Sequence, residues 1–281
     1  MLKQRIITAL LMLAILVPSV FYPDPVVFAW VAMGLIAAAA WEWARLNQCT
    51  PVLAWVSGGL CAAICLASWH FGWVEAAPKI LWVVAGSSWV LFAAWLLWAG
   101  VPAWAKVPQL VRWLGGLLAL WVAWLAVVQA RTMGINFLFS VLVLVWVADI
   151  FAYFAGRTFG GKFFARKLAP SISPGKTWEG VCGGLTGVVL MAFAWRAWDQ
   201  SGAPTHPSLY SLIGTNGTAF LALAAVFLTM MSVVGDLVES LFKRSAGVKD
   251  SSNLLPGHGG VLDRVDALLP ILPLAMVFAT L

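Results

Sequence analysis

The chain has 281 residues, 62% of them hydrophobic and only 10% charged, with 18 Trp and a formal net charge of +6. That balance excludes an ordinary soluble domain and a disordered chain, and puts the protein in a membrane. The basic residues sit in short gaps between apolar runs, not along a continuous face, which argues against nucleic acid as a partner. Cys49, Cys61, Cys65 and Cys182 form no CxxC pair and have no His at metal spacing, so they read as free thiols.

A crossing of the hydrocarbon core takes about 20 apolar residues. Windows near that length fall at 6–22, 26–44, 51–71, 80–99, 113–130, 135–155, 180–195, 214–238 and 265–281. The expected fold is therefore all-α, a polytopic integral membrane helical bundle of about nine transmembrane helices. The first window has the basic start and apolar core of a signal peptide but no small-x-small cleavage site where it ends, so it reads as the first span. Pro18 interrupts that span and Tyr22-Pro23-Asp24-Pro25 closes it. Later breaks fall at Asn47 to Pro51, Glu75 to Lys79, Pro102 to Pro108, Arg131 to Gly134 and Asp199 to Pro207. Trp30, Trp41, Trp43, Trp69, Trp73, Trp113 and others lie mostly near span ends, where an aromatic belt would stand.

Basic residues test the count. With nine alternating spans and the loop after the sixth in the cytoplasm, fourteen Lys and Arg fall on the cytoplasmic side, and only Lys79, Arg131 and Arg196 on the other. One span more or fewer before residue 157 would scramble that ratio, so the N-terminus is expected in the cytoplasm. Residues 1–134 then hold five N-terminal spans. Residues 135–281 hold four more and form the catalytic membrane region, with cytoplasmic loops 156–179 and 239–264.

Residues 148–179 form one of two polar clusters. Arg157, Lys162, Arg166, Lys167 and Lys176 stand against Glu179 alone, a net basic loop suited to anionic lipid head groups. Asp149 lies inside the sixth span, where an acid costs a few kcal/mol and is a functional candidate by default; the competing reading pairs it structurally with Arg157. Pro174-Gly175-Lys176-Thr177 imitates a P-loop, but Pro170 stands where the pattern wants glycine and no β-strand precedes it. Lys176 remains a candidate phosphate contact. His70 and His206 read as bystanders, and a Ser-His-Asp triad around Ser201 to Ser208 would have to cross the membrane.

The second cluster, residues 236–266, holds Asp236, Glu239, Lys243, Arg244, Lys249, Asp250, His258, Asp263, Arg264 and Asp266. Mixed signs suit a site that holds a metal and a polyphosphate together. Carboxylates are ligands that Mg²⁺ prefers, and Lys and Arg take up phosphate charge. Asp236 and Asp263 would serve the metal, and Lys243, Arg244, Lys249 and Arg264 the phosphates. Pro256-Gly257-His258-Gly259-Gly260 lets bare backbone amides approach an anion. Asp263 and Asp266, three apart at the head of an apolar run, are expected on one face of a helix near its positive end.

In order, Ser240, Lys243-Arg244, Lys249-Asp250, His258-Gly259-Gly260, Asp263-Arg264 and Asp266 closely resemble the C-terminal signature of the phosphatidate cytidylyltransferases, or CDP-diacylglycerol synthases, without departure. The run Ser173 to Gly180 resembles a second element of that family, so the resemblance covers about residues 148–270. It implies an integral membrane enzyme that condenses CTP with phosphatidic acid, giving CDP-diacylglycerol and pyrophosphate with a divalent metal such as Mg²⁺. It also implies a homodimer.

On that resemblance the metal ligands would be Asp236 and Asp263, with Asp149 or Asp266 completing a second cation site. Lys243, Arg244, Lys249, Arg264 and Lys176 would bind the triphosphate and the lipid phosphate. Asp250 would orient a base or bind metal, and His258, Gly259 and Gly260 would shape the phosphate loop. The active site would face the cytoplasm of, for a bacterium, the inner membrane, in a cavity open sideways to the bilayer and lined by spans six, eight and nine. Two rivals differ in class: a CTP-dependent polyprenol or lipid kinase, which would release CDP, and a transporter with an acidic coupling site. No inverted pair of broken helices supports the transporter.

Overall fold

The computed structural model describes residues 2–202 and 204–281, with no β-strand among them beyond isolated bridges in two loops. The first half holds α1 (Leu2–Phe21), α2 (Pro25–Leu46), α3 (Pro51–His70), α4 (Trp73–Ala76), α5 (Lys79–Ala99), α6 (Val101–Lys106) and α7 (Gln109–Met133). The second holds α8 (Ile135–Phe159), α9 (Trp178–Gly202), α10 (Leu209–Gly214), α11 (Thr218–Ser245), α12 (Leu262–Val265) and α13 (Leu268–Ala279). Among the described residues, α1, α2, α3, α5, α7, α8, α9 and α11 are long and apolar enough to cross a membrane. They match the first eight expected spans. The protein is an all-α polytopic membrane protein.

The ninth span departs from expectation. Instead of one helix it is a single turn, α12, and a separate 12-residue α13. Proline explains the interruption: Pro270 offers no N–H to the Asp266 carbonyl four residues back, and Pro273 offers none to Leu269. Asp263 therefore lies in α12 and Asp266 at its C-cap, and the two do not share the face of a continuous helix. Lys79 Nζ, at the start of α5, donates to the Thr280 carbonyl at 3.4 Å, so the broken segment still runs from the signature loop to the opposite end of the bundle.

The N-terminal end of α1 lies beside the signature loop. Thr8 Oγ1 donates to the Pro256 carbonyl at 2.9 Å, and a Cβ on Gly257 would come within 2.7 Å of Arg5 Cγ. The start of α1 and the signature loop therefore stand at the same end of the bundle. At the other end, buried Asp199 accepts from Asn136 Nδ2, from the Ser208 N–H and hydroxyl, and from the Ser211 hydroxyl, tying α8, α9 and α10 together. Ala203, in the expected break there, lies outside the described residues. Arg131, 7% exposed, donates to the carbonyls of Val20 and Tyr22, which capped the open end of α1.

Small residues set the helix spacing that matters for the site. Cβ atoms on Gly180 and Gly184 of α9 would stand 3.0 Å from the carbonyls of Ala152 and Ala148 on α8. Such small residues let two membrane helices approach backbone to backbone. This contact draws Asp149, next to Ala148, toward Lys176 at the foot of α9.

On the other flank, Gly116 of α7 faces the Trp43 indole of α2, whose Nε1 donates to the carbonyls of Arg112 and Trp113. Trp43 is 4% exposed, so it serves the core and not an interfacial belt. It stacks into Phe242 and Trp104, with centroids 5.0 and 6.0 Å away. A Cβ on Gly116 would lie 2.0 Å from the Trp43 ring, which is held on both edges and cannot retreat. Gly116→Ala is thus expected to destabilise the fold by about 1–3 kcal/mol through overpacking. The measurement is thermal unfolding in detergent, and an unchanged midpoint would show that α2 and α7 can part.

Candidate active site

The two polar clusters meet at the same end of the bundle. Lys176 Nζ, from the loop before α9, pairs with Asp236 Oδ2 of α11 at 2.6 Å. Arg244 Nε, near the end of α11, donates to the Ile172 carbonyl in that loop. The loop is itself braced by Glu179, 5% exposed, whose Oε1 accepts from the N–H groups of Gly161, Phe163 and Phe164. Three amides satisfied by one carboxylate hold a strongly basic loop in one shape.

Along α11, Asp236, Glu239 and Lys243 fall at spacings of three and four, so they form one stripe. Its first end carries the acids. Asp149 of α8 and Asp266 are electrostatic neighbours of Asp236 and of each other, with the Lys176 ammonium against the group. Ser240 Oγ donates to Asp236 Oδ1 at 3.3 Å. Arg157 donates to the Tyr153 hydroxyl and lies over its ring, and it makes no ion pair with Asp149.

The other end of the stripe is a buried ion cluster. Lys243 pairs with Glu239 one turn back and with Asp263 Oδ1 at 2.7 Å. Asp263 Oδ2 accepts from the Ser251 N–H and hydroxyl, both 2.9 Å, and from the Gly260 N–H at 2.7 Å. Burial works against its ionisation, but the Lys243 ammonium and the Gly260 amide, both donating to it, outweigh that. The carboxyl is held well below the usual carboxylate range. Asp236 and Asp263 thus belong to separate hydrogen-bonded clusters.

The glycine turn is shaped by these acids. Gly259 has φ +81°, and a Cβ there would stand 2.6 Å from Asp263 Oδ2. On Gly260 a Cβ would fall 2.1 Å from Ser251 Oγ and 2.4 Å from Glu42 Oε1. Carboxylates fill the space side chains would need. Arg264 clamps the turn, its Nε and Nη2 both donating to the His258 carbonyl at 2.9 and 2.6 Å. His258 Nδ1 is buried with no hydrogen-bond partner among the described residues. Lys249 and Asp250 are exposed on the loop above.

Sequence reasoning passed over Glu42. It is 0% exposed and lies near the end of α2. Its oxygens accept from the Ser252 hydroxyl at 2.5 Å and the N–H groups of Val261 and Leu262 at 3.0 and 2.7 Å, with the Ser251 hydroxyl 3.3 Å away. The signal was present: an acid inside the apolar window 26–44 is a functional candidate for the same reason as Asp149.

An apolar cavity of about 670 Å³ is lined by residues of α5, α6, α7 and α11, with Trp104, Leu118, Trp121, Glu239 and Phe242 among its walls. In span order it is lined by the second, fourth, fifth, eighth and ninth, whereas the sixth, with Asp149, takes no part. The expected lining by spans six, eight and nine does not describe this cavity; Asp149, Asp236 and Asp266, from those spans, are grouped beside Lys176 instead.

A family model described as the cytidylyltransferase family matches residues 3–281. The chain is similar to the phosphatidate cytidylyltransferase of Pseudomonas aeruginosa, 39% identical over 285 residues that cover 100% of this chain and 97% of the relative. It is 37% identical to the phosphatidate cytidylyltransferase of Haemophilus influenzae over 306 residues, covering 99% and 98% of the two chains. The like-named protein of Bacillus subtilis is 39% identical over 140 residues, 50% of this chain and 46% of the relative.

Proposed function

Because this chain belongs to the cytidylyltransferase family, we propose that it condenses CTP with phosphatidic acid to CDP-diacylglycerol and pyrophosphate in phospholipid biosynthesis. The observation that carries the site assignment is the Lys176–Asp236 pair, which joins the two polar segments into one group of acids and bases. An oxygen of the lipid phosphate attacks the α-phosphorus of CTP, a P–O bond forms, and the bond to pyrophosphate breaks with the pair of electrons leaving on it. The attacking oxygen is already ionised near neutral pH, so no protein nucleophile is needed; charge neutralisation and alignment do the work.

Asp149, Asp236 and Asp266 offer hard oxygen donors, and the Lys176 ammonium paired with Asp236 supports a cation beside it. Among the described residues no three His, Cys, Asp or Glu side chains are close enough to enclose an ion by themselves. That fits Mg²⁺, which is usually held by one or two carboxylates together with substrate phosphates. When bound, such an ion neutralises charge developing on the phosphates. Asp236 is the first ligand we assign, with Asp149 and Asp266 beside it. Asp263, its oxygens engaged by Lys243, Ser251 and Gly260, orients Lys243. Lys176, Lys243, Arg244, Lys249 and Arg264 supply positive charge to the triphosphate and the lipid phosphate; the His258-Gly259-Gly260 turn shapes the loop, its Gly260 N–H being spent on Asp263 and its His258 N–H on the Leu255 carbonyl. The loop end of the bundle faces the cytoplasm of a bacterial inner membrane in this reading, supported by the fourteen-to-three division of basic residues.

Purified protein in detergent, given CTP and phosphatidate, is expected to form CDP-diacylglycerol and pyrophosphate, and to stop when a chelator removes divalent ions. In sealed vesicles, external CTP should support the reaction only when they are inside-out. Release of CDP with a phosphorylated lipid would instead identify a kinase. Solute flux across sealed vesicles with no pyrophosphate would identify a transporter.

A further inference from the structure

We propose that Glu42 is a positioning residue for the reaction: from α2, in the half of the chain outside the signature, it sets the geometry of the loop that carries Asp263. The inference rests on the function proposed above.

Glu42 is a fully buried carboxylate with no Lys or Arg paired to it among the described residues, a costly arrangement unless its oxygens are well supplied with donors. All three of its donors, the Ser252 hydroxyl and two backbone N–H groups, come from one segment, residues 252–262. Two are the N–H groups of Val261 and Leu262, immediately before Asp263. Donors at the start of a helix have no partner within it, so Glu42 supplies what the α12 turn lacks. The contact is also shape-selective, since Gly260 has no room for a Cβ against the Glu42 oxygens.

Ser251 carries the link onward. Its hydroxyl lies 2.9 Å from Asp263 Oδ2 and 3.3 Å from Glu42 Oε2, and its one proton serves the nearer acid. Glu42 therefore acts through a short chain: it fixes the 251–262 backbone, that backbone presents the Ser251 and Gly260 donors, and they orient Asp263 against Lys243. Glu42 touches neither Lys243 nor Asp236 in this chain of contacts. A residue acting this way changes turnover per folded molecule, whereas a brace for the bundle changes only the amount that folds.

The test uses the full-length protein, purified as a monodisperse peak in detergent, with turnover expressed per folded molecule. Glu42→Gln keeps the shape but turns one acceptor into a donor facing an N–H. It is expected to lower kcat about tenfold while KM for CTP stays within about threefold; Glu42→Ala should lower kcat about a hundredfold. Ser251→Ala should lower kcat by itself, and Glu42→Gln combined with Ser251→Ala should be no slower than the worse single variant, since both break one chain of contacts. Should Glu42→Ala fail to fold, the Gln variant and the double variant still decide. Wild-type kcat per folded molecule in Glu42→Gln, or losses that multiply in the double variant, would overturn the proposal. Wild-type protein without CDP-diacylglycerol synthesis would instead defeat the function it rests on.

Discussion

Asp236→Asn is expected to cut kcat about a thousandfold or more while leaving the protein folded. The side chains of Lys176 and Asp236 are 21% and 35% exposed, and an ion pair so open to solvent contributes at most about 1 kcal/mol to stability. Losing its charge cannot unfold a bundle whose core runs through every long helix. The same charge is worth far more to the reaction. Asp236 is the acid that Lys176 bridges to and that both Asp149 and Asp266 neighbour. The amide keeps the volume and one oxygen but loses the charge that would hold a divalent ion against the triphosphate, an effect of several kcal/mol at the transition state. Steady-state assays at saturating Mg²⁺, beside a thermal unfolding curve, measure both quantities. Turnover within tenfold of wild type would remove Asp236 from the centre of the site.

Lys243→Met should damage stability and activity together. Here the pairing is buried: the side chains of Lys243, Glu239 and Asp263 are 13%, 3% and 5% exposed. Taking the ammonium away leaves two buried carboxylates facing each other, and breaking such a pair costs about 3–5 kcal/mol because charge is left uncompensated. The double variant Lys243→Met with Glu239→Gln removes one of the two stranded charges and is expected to recover much of the lost stability without recovering activity. The absence of the ammonium is common to both variants, so a double variant that regains turnover would show that Lys243 contributes only to the fold. Thermal unfolding and product formation on the same samples separate the outcomes.

Both experiments probe residues that were legible before any coordinates. Asp149, Asp236, Asp263 and Asp266 stand out because a carboxylate within or beside an apolar span is expensive and rarely present without a role. Their grouping was not legible. Asp236 and Asp263 were expected to serve one ion, yet Asp263 has both oxygens engaged by Lys243, Ser251 and Gly260, while Asp149 and Asp266 are the neighbours of Asp236. Spacing along a chain tells which side chains share a helix face; it cannot say which donors a distant loop will bring.

Hydropathy alone determined the all-α membrane class and the first eight spans, since each long helix must satisfy its own backbone in lipid and hide an apolar length the bilayer sets. The signature residues were likewise readable from composition against an apolar background. Only the tertiary structure decided that the last crossing breaks between α12 and α13, that the two polar segments close on each other through Lys176 and Asp236, and that Glu42, from a helix with no signature of its own, accepts hydrogen bonds from the signature loop. Those outcomes depend on contacts between residues far apart in the chain, where packing, buried charge and unpaired backbone groups settle on partners that no local pattern names.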